Sequence, residues 1–93
     1  MIKHIVFWDF ETEEIRKEVV NRLEELPAKI DVIVDFEVGE NFNSSDAAFQ
    51  IALYSSFASK DDLQTYQVDP AHKSVAAFIG EVATSRAVVD YEI

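Results

Sequence analysis

Cysteine is missing from all 93 residues. Its absence excludes disulfides and thiolate chemistry, and it points to a cytoplasmic setting. Glycine and proline occur twice each, so loops must be few and tight, and a flexible linker has nothing to be made from. Basic residues are scarce, 8 against 18 acidic ones, for a net charge of −10. A nucleic-acid binder replaces counterions with a basic face. No cluster of Lys or Arg is present to form one, and anionic membrane surfaces are disfavoured for the same reason. Apolar runs are too short to span a bilayer. The apolar start Ile5-Val6-Phe7-Trp8 is broken at once by Asp9 and Glu11, unlike a signal peptide.

What is abundant is core material. Nearly half the residues are hydrophobic and seven are phenylalanine, the composition of one compact domain over residues 1–93. Residues 2–10 read as a strand, with Ile2, His4, Val6, Trp8 and Phe10 on one parity and Lys3, Ile5, Phe7 and Asp9 on the other. Both parities are apolar in the middle, so both faces are expected to be covered. Residues 12–26 read as an amphipathic helix, with Ile15, Val19, Leu23 and Leu26 on one face, Thr12 as N-cap and Pro27 as stop. Residues 29–39 alternate as a second strand, and residues 47–57 as a third. Ser59 opens a short helix. A longer helix follows from Pro70 to about Ala83, and residues 87–93 form the last strand. The order β-α-β-β-α-α-β is that of an α+β, ferredoxin-like plait: an antiparallel sheet with helices on one face.

The stretch Tyr66-Gln67-Val68-Asp69-Pro70-Ala71-His72 joins the two C-terminal helices. Asp69 is a good N-cap and Pro70 suits the first helical position. His72 then lies in the first turn, at the edge of an apolar face made by Val75, Ala76 and Ile79. The plait is expected to bring His72, Tyr66 and the only other histidine, His4, to one end of an apolar pocket. Its walls are expected from the helix-facing parity: Val6, Trp8, Phe49, Ile51, Leu53, Val75, Phe78 and Ile79. Such a pocket suits an apolar or aromatic ligand with a few oxygens.

Helices in this topology cover one sheet face only. The other carries Ile5, Phe7, Ile33, Ala48, Ala52 and Tyr54, with Gln50, Asp31 and Asp35 interspersed. That apolar area exceeds what soluble monomers normally expose. A homodimer packed sheet to sheet, two four-stranded sheets forming one barrel core, is the economical solution.

Five segments match a known family in order: Ile2 to Trp8, Glu37-Val38-Gly39-Glu40-Asn41, Leu53-Tyr54-Ser55-Ser56-Phe57, Asp62 to His72, and Val89-Asp90-Tyr91. Together they span essentially the whole chain, which resembles the stress-responsive α/β-barrel, or dimeric α/β-barrel (Dabb), domain family. The resemblance implies the same plait and a sheet-to-sheet dimer. One branch of the family looks like a plant polyketide cyclase that works without metal or cofactor. There, a strand-one histidine, the histidine of a Pro-x-His turn and the tyrosine before that turn line the pocket. Carried over, these are His4, His72 and Tyr66. Asp69 departs from the family's frequent second histidine, and Ile51 from a polar pocket position of the cyclase.

The chemistry follows from the residue types. Histidine transfers protons near neutral pH. His72, near a helix N-terminus, is expected to stay neutral and act as the base. Tyr66 O–H can donate to a developing oxyanion, and His4 can orient His72 or bind a second carbonyl. One reading is therefore a cofactor-free enzyme, a cyclase, isomerase or oxygenase of small aromatic substrates. The other is a non-catalytic dimeric stress or ligand-binding protein, with both histidines bonded within a filled core. A metal site with Asp69 as third ligand is the weakest reading.

Overall fold

β1 (Ile2–Phe10), apolar on both parities, is an inner strand of the sheet. The computed structural model describes residues 1–93. After β1 come α1 (Glu13–Glu24), a 3-10 turn (Leu26–Ala28), β2 (Ile33–Glu40) and β3 (Ile51–Phe57). α2 (Lys60–Val68), α3 (Pro70–Val82) and β4 (Ala83–Glu92) complete the chain. β1 pairs antiparallel with β3 on one side and β4 on the other, in the sheet order β2-β3-β1-β4. This is the ferredoxin-like plait expected from the element order.

Local chemistry sets the helix starts. Backbone N–H groups donate to side-chain oxygens at each: Ile15 to Thr12 at 3.1 Å, Asp62 to Ser59 at 3.1 Å, and Ala71 to Asp69 at 2.8 Å. Such caps contribute about 1 kcal/mol each. The helices bury Val19, Leu23, Leu63, Tyr66 and Ile79 against the parity of β1 and β3 that carries Ile2, Val6, Trp8, Leu53 and Phe57. No helix is long and apolar enough to cross a membrane.

Several boundaries differ from the sequence reading. β2 starts at Ile33, not residue 29. Ile30 is buried, but it plugs the core from a turn whose N–H groups at Lys29 and Ile30 both donate to the Leu26 carbonyl. The β2–β3 register then shifts between Ile33 and Asp35, which leaves Val34 exposed instead of inward. β3 starts at Ile51, not residue 47, because Gln50 leaves the strand pattern. Its side-chain oxygen accepts from the Phe10 N–H at 2.7 Å, and its own N–H donates to Asp9 at 3.0 Å. β4 begins at Ala83, straight from the last turn of α3, so no loop occupies residues 84–86.

The face without helices also differs in membership. Ile5, Phe7, Ala52 and Tyr54 lie there, joined by Ala87, Val89 and Tyr91 of β4, which stand opposite Phe7, Ile5 and Lys3. Asp31 falls in the turn before β2 and Gln50 turns toward Phe10. Two polar residues expected to wet this face are therefore not on its strands.

Candidate functional site

β1 delivers His4, Val6 and Trp8 to the helix-covered face at every second residue. Tyr66 descends from α2 and His72 from the first turn of α3. The joint between them is fixed twice. Asp69 caps α3, and His72 Nδ1–H donates to the Gln67 carbonyl at 3.1 Å. That second bond satisfies a carbonyl in the last turn of α2, one of the groups a helix end leaves open. It also leaves the imidazole Nε2 as a free acceptor.

These side chains meet at a cavity of about 120 Å³ between sheet and helices. Val6, Trp8, Leu53, Val75 and Ile79 line it with His4, Tyr66 and His72. Ala76, Gly80 and Arg86 also border it and are exposed, so they form its rim. The Tyr66 ring neighbours both histidines. Its centre is 4.3 Å from that of His72 and 6.2 Å, edge-on, from that of His4. The two histidines contact the same tyrosine, and His4 bonds elsewhere.

That bond is to Asp90. His4 Nδ1 hydrogen-bonds the Asp90 carboxylate across the β1–β4 pair, where the two residues are direct partners. The carboxylate accepts, so Nδ1 carries the proton and Nε2 of neutral His4 is unprotonated. The sequence reading did not pick out Asp90. The signal was present: Ala87, Val89 and Tyr91 are the apolar parity of the last strand, which puts Arg86, Val88 and Asp90 on the other face.

Two buried donors have no partner: Trp8 Nε1–H and Tyr66 O–H. Each unmet buried group costs about 1–3 kcal/mol. Burial also pushes the Tyr66 hydroxyl well above the usual phenol range, so it stays protonated and a donor. His72 is held below the usual histidine range, first by burial and then by the nearby His4 and Arg86, against the Gln67 bond and Asp69. The direction is the one expected from its place in the helix, but the main cause is desolvation.

Three expected wall residues lie elsewhere. Phe49 precedes β3 and packs on Phe7 of the uncovered face, with ring centres 5.9 Å apart. Phe78 points toward α1, where the Arg22 guanidinium lies 3.9 Å from its ring centre. Ile51 is fully buried but borders a different recess, with Phe7 and Phe49. That recess is larger, about 380 Å³, yet it is apolar apart from the Glu40–Asn41 segment and merges with the uncovered face. It holds no histidine, tyrosine or unpaired donor, so the smaller cavity is the candidate site. No three His, Asp or Glu side chains are placed to share a metal ion.

The sequence model of the family described as Stress responsive A/B Barrel Domain (Dabb) matches residues 2–93. The chain belongs to this family. The Dabb domain is 39% identical to a dimeric protein of unknown function with a ferredoxin-like fold from Bacteroides fragilis, over 99% of this chain and 95% of that one, with a TM-score of 0.84. A dimeric ferredoxin-like protein from Thermobifida fusca is 22% identical, over 99% and 90%, with a TM-score of 0.88. The hydroxynitrile lyase of Passiflora edulis is 18% identical, over 99% and 92%, also at 0.88. At those identities the last two share the fold of this Dabb domain. No curated protein matches the chain.

Proposed function

We propose that this Dabb domain binds a small carbonyl compound in the His4–Tyr66–His72 cavity and moves a proton on it without a cofactor. The observation that carries the reading is that Trp8 and Tyr66, whose Nε1–H and O–H are buried and unpartnered, both line a cavity that also holds two histidines. A ligand oxygen would supply the missing acceptor.

The roles follow from the partners. Asp90 stabilises the imidazolium that forms when His4 Nε2 accepts a proton, and it fixes the tautomer. Burial opposes the same change at His72. His4 has a carboxylate partner and His72 only a backbone carbonyl, so the base role assigned to His72 from its helix position passes to His4. A C–H proton beside a carbonyl goes to His4 Nε2. The bonding pair moves onto the carbonyl oxygen as an enolate, and Tyr66 and Trp8 donate hydrogen bonds to it. Neutral His72 offers Nε2 to a substrate hydroxyl.

Size limits the substrate. Drug-sized ligands need roughly 300–1,000 Å³, whereas an apolar cavity of about 150 Å³ takes one benzene ring. A cavity of about 120 Å³ suits a single-ring or short-chain compound better than a linear tetraketide. We further propose that two copies pack through the uncovered sheet faces into one barrel. The apolar parity of β1, β3 and β4 and the dimeric Bacteroides fragilis relative support this.

The test is deuterium exchange at the acidic C–H of acetylacetone and benzoylacetone, followed by NMR beside the histidine resonances. Catalysed exchange that drops about 10²–10⁴-fold in His4→Gln is the expected result. Binding without exchange favours the ligand-binding reading, for which the His72–Gln67 backbone bond speaks.

A further inference from the structure

We propose that the ligand of this cavity carries a carboxylate, and that Arg86 at the rim binds it. The inference rests on the acid–base reading of the pocket and names its substrate class.

β4 builds the arrangement. Arg86, Val88 and Asp90 alternate along its helix-side parity and stand opposite Trp8, Val6 and His4. The cavity is thereby polarised along the strand pair. One end holds the Asp90–His4 bond, the middle is Val6, and the other end holds Trp8 with Arg86. Asp90 lies four residue steps of strand from Arg86, about 13 Å between Cα atoms.

The pairing of charges singles out Arg86. The chain has 18 acidic side chains for 8 basic ones, so a cation has acids to choose from. Lys17, Arg22, Lys29 and Lys60 each take one, His4 takes Asp90, and Lys3 donates to the Tyr54 hydroxyl. Arg16, Lys73 and Arg86 enter no ion pair. Arg16 and Lys73 border no cavity, whereas Arg86 borders the one with the histidines. The charges facing that cavity reinforce the point. Arg86 is the one permanent cation bordering it, beside the imidazoles of His4 and His72. Asp90 is already engaged by His4, and Asp69 by the α3 cap. Arg86 adds to the positive field that holds His72 neutral. An anion at the rim would give the guanidinium the planar partner it lacks. A carbonyl two bonds away would then lie inward, toward the Tyr66 and Trp8 donors.

The test uses two near-isosteric pairs that differ by one charge: acetoacetate against acetylacetone, and benzoylacetate against benzoylacetone. Binding is read from the His4, His72 and Trp8 resonances at two salt concentrations, in wild type and Arg86→Gln. The expected result is a preference for each carboxylate of about tenfold, low in the range for charged hydrogen bonds because Arg86 is exposed. It should weaken with salt and vanish in Arg86→Gln, while the diketones keep their affinity. Equal affinities in wild type, or a preference that survives Arg86→Gln, overturn the inference and leave the acid–base reading standing if the diketones bind and exchange. No response to any of the four compounds overturns both.

Discussion

The two faces of one sheet lack different things. Alternate residues of β1 serve both. His4, Val6 and Trp8 are within 4% of full burial under the helices, whereas Phe7 on the other parity is 38% exposed. Across β4 the uncovered face adds Val89 at 56% and Tyr91 at 46%. The covered face has polar donors without acceptors, Trp8 and Tyr66. The uncovered face has apolar surface without a cover. An unmet donor inside calls for a ligand with oxygens, and an unmet apolar face outside calls for a second sheet. A two-residue period in the sequence thus separates the proposed site from the proposed interface.

The sharpest way to test that division is to disturb one face and read both. Asp90→Asn acts on the covered face alone. The amide can present its NH2 to Nδ1 and hold the wrong tautomer, with the proton on Nε2. Exchange activity should fall about 10²–10⁴-fold, with the oligomeric state unchanged by light scattering. Activity within threefold of wild type would show that the His4–Asp90 bond is structural only.

The complementary change is Val89→Glu. It puts a charge on the uncovered face, twice over at a two-fold interface. Self-association should weaken by about a hundredfold or more, since buried like charges cost several kcal/mol. Sedimentation equilibrium reads the effect. An unaltered dimer would place the interface on another surface.

The division was only partly legible in the sequence. The alternation of β1 and the caps at Thr12, Ser59 and Asp69 are local features, and they fixed the plait and the meeting of His4, Tyr66 and His72. What escaped depends on pairing between distant strands. Asp90 matters because β4 lies beside β1 in one register, which no local pattern states. Phe49 continues the parity of β3 on paper, yet the regular strand begins only at Ile51, and Gln50 before it also bonds the Phe10 N–H and Asp9. Ile30 is apolar like a strand residue, but it reaches the core from a turn.

Tyr66→Phe sharpens the comparison on a smaller scale, because a packing residue and a donor respond oppositely. If the hydroxyl awaits a ligand, its removal relieves an unmet buried group. The free protein should then gain about 1 kcal/mol in urea unfolding, while affinity for the diketones falls. A loss of stability would mean that the hydroxyl already has a partner in solution, such as a bound water.

The smallest expected effect is a pH slope, and it too divides the faces. His72 titrates near 6.5 when unperturbed and lower in the fold. As pH falls through 6.5 the unfolded chain takes up a proton that the folded chain excludes, so stability falls with it. The loss ends once the folded His72 also protonates. On the uncovered face the shifted group is Lys3, raised above 10.5 by its bond to the Tyr54 hydroxyl. Its contribution is present below pH 10.5 and is lost only as pH rises through the folded value. Between pH 7.5 and 5.5, then, His72 answers and Lys3 does not. His72→Gln should flatten the change in urea midpoint over that window, and Lys3→Met should leave it as in wild type. A bound carboxylate would offset the excess positive charge around His72 and raise its pKa, so ligand should also flatten the slope. A His72→Gln profile parallel to wild type would mean that the imidazole is hydrated in the folded protein.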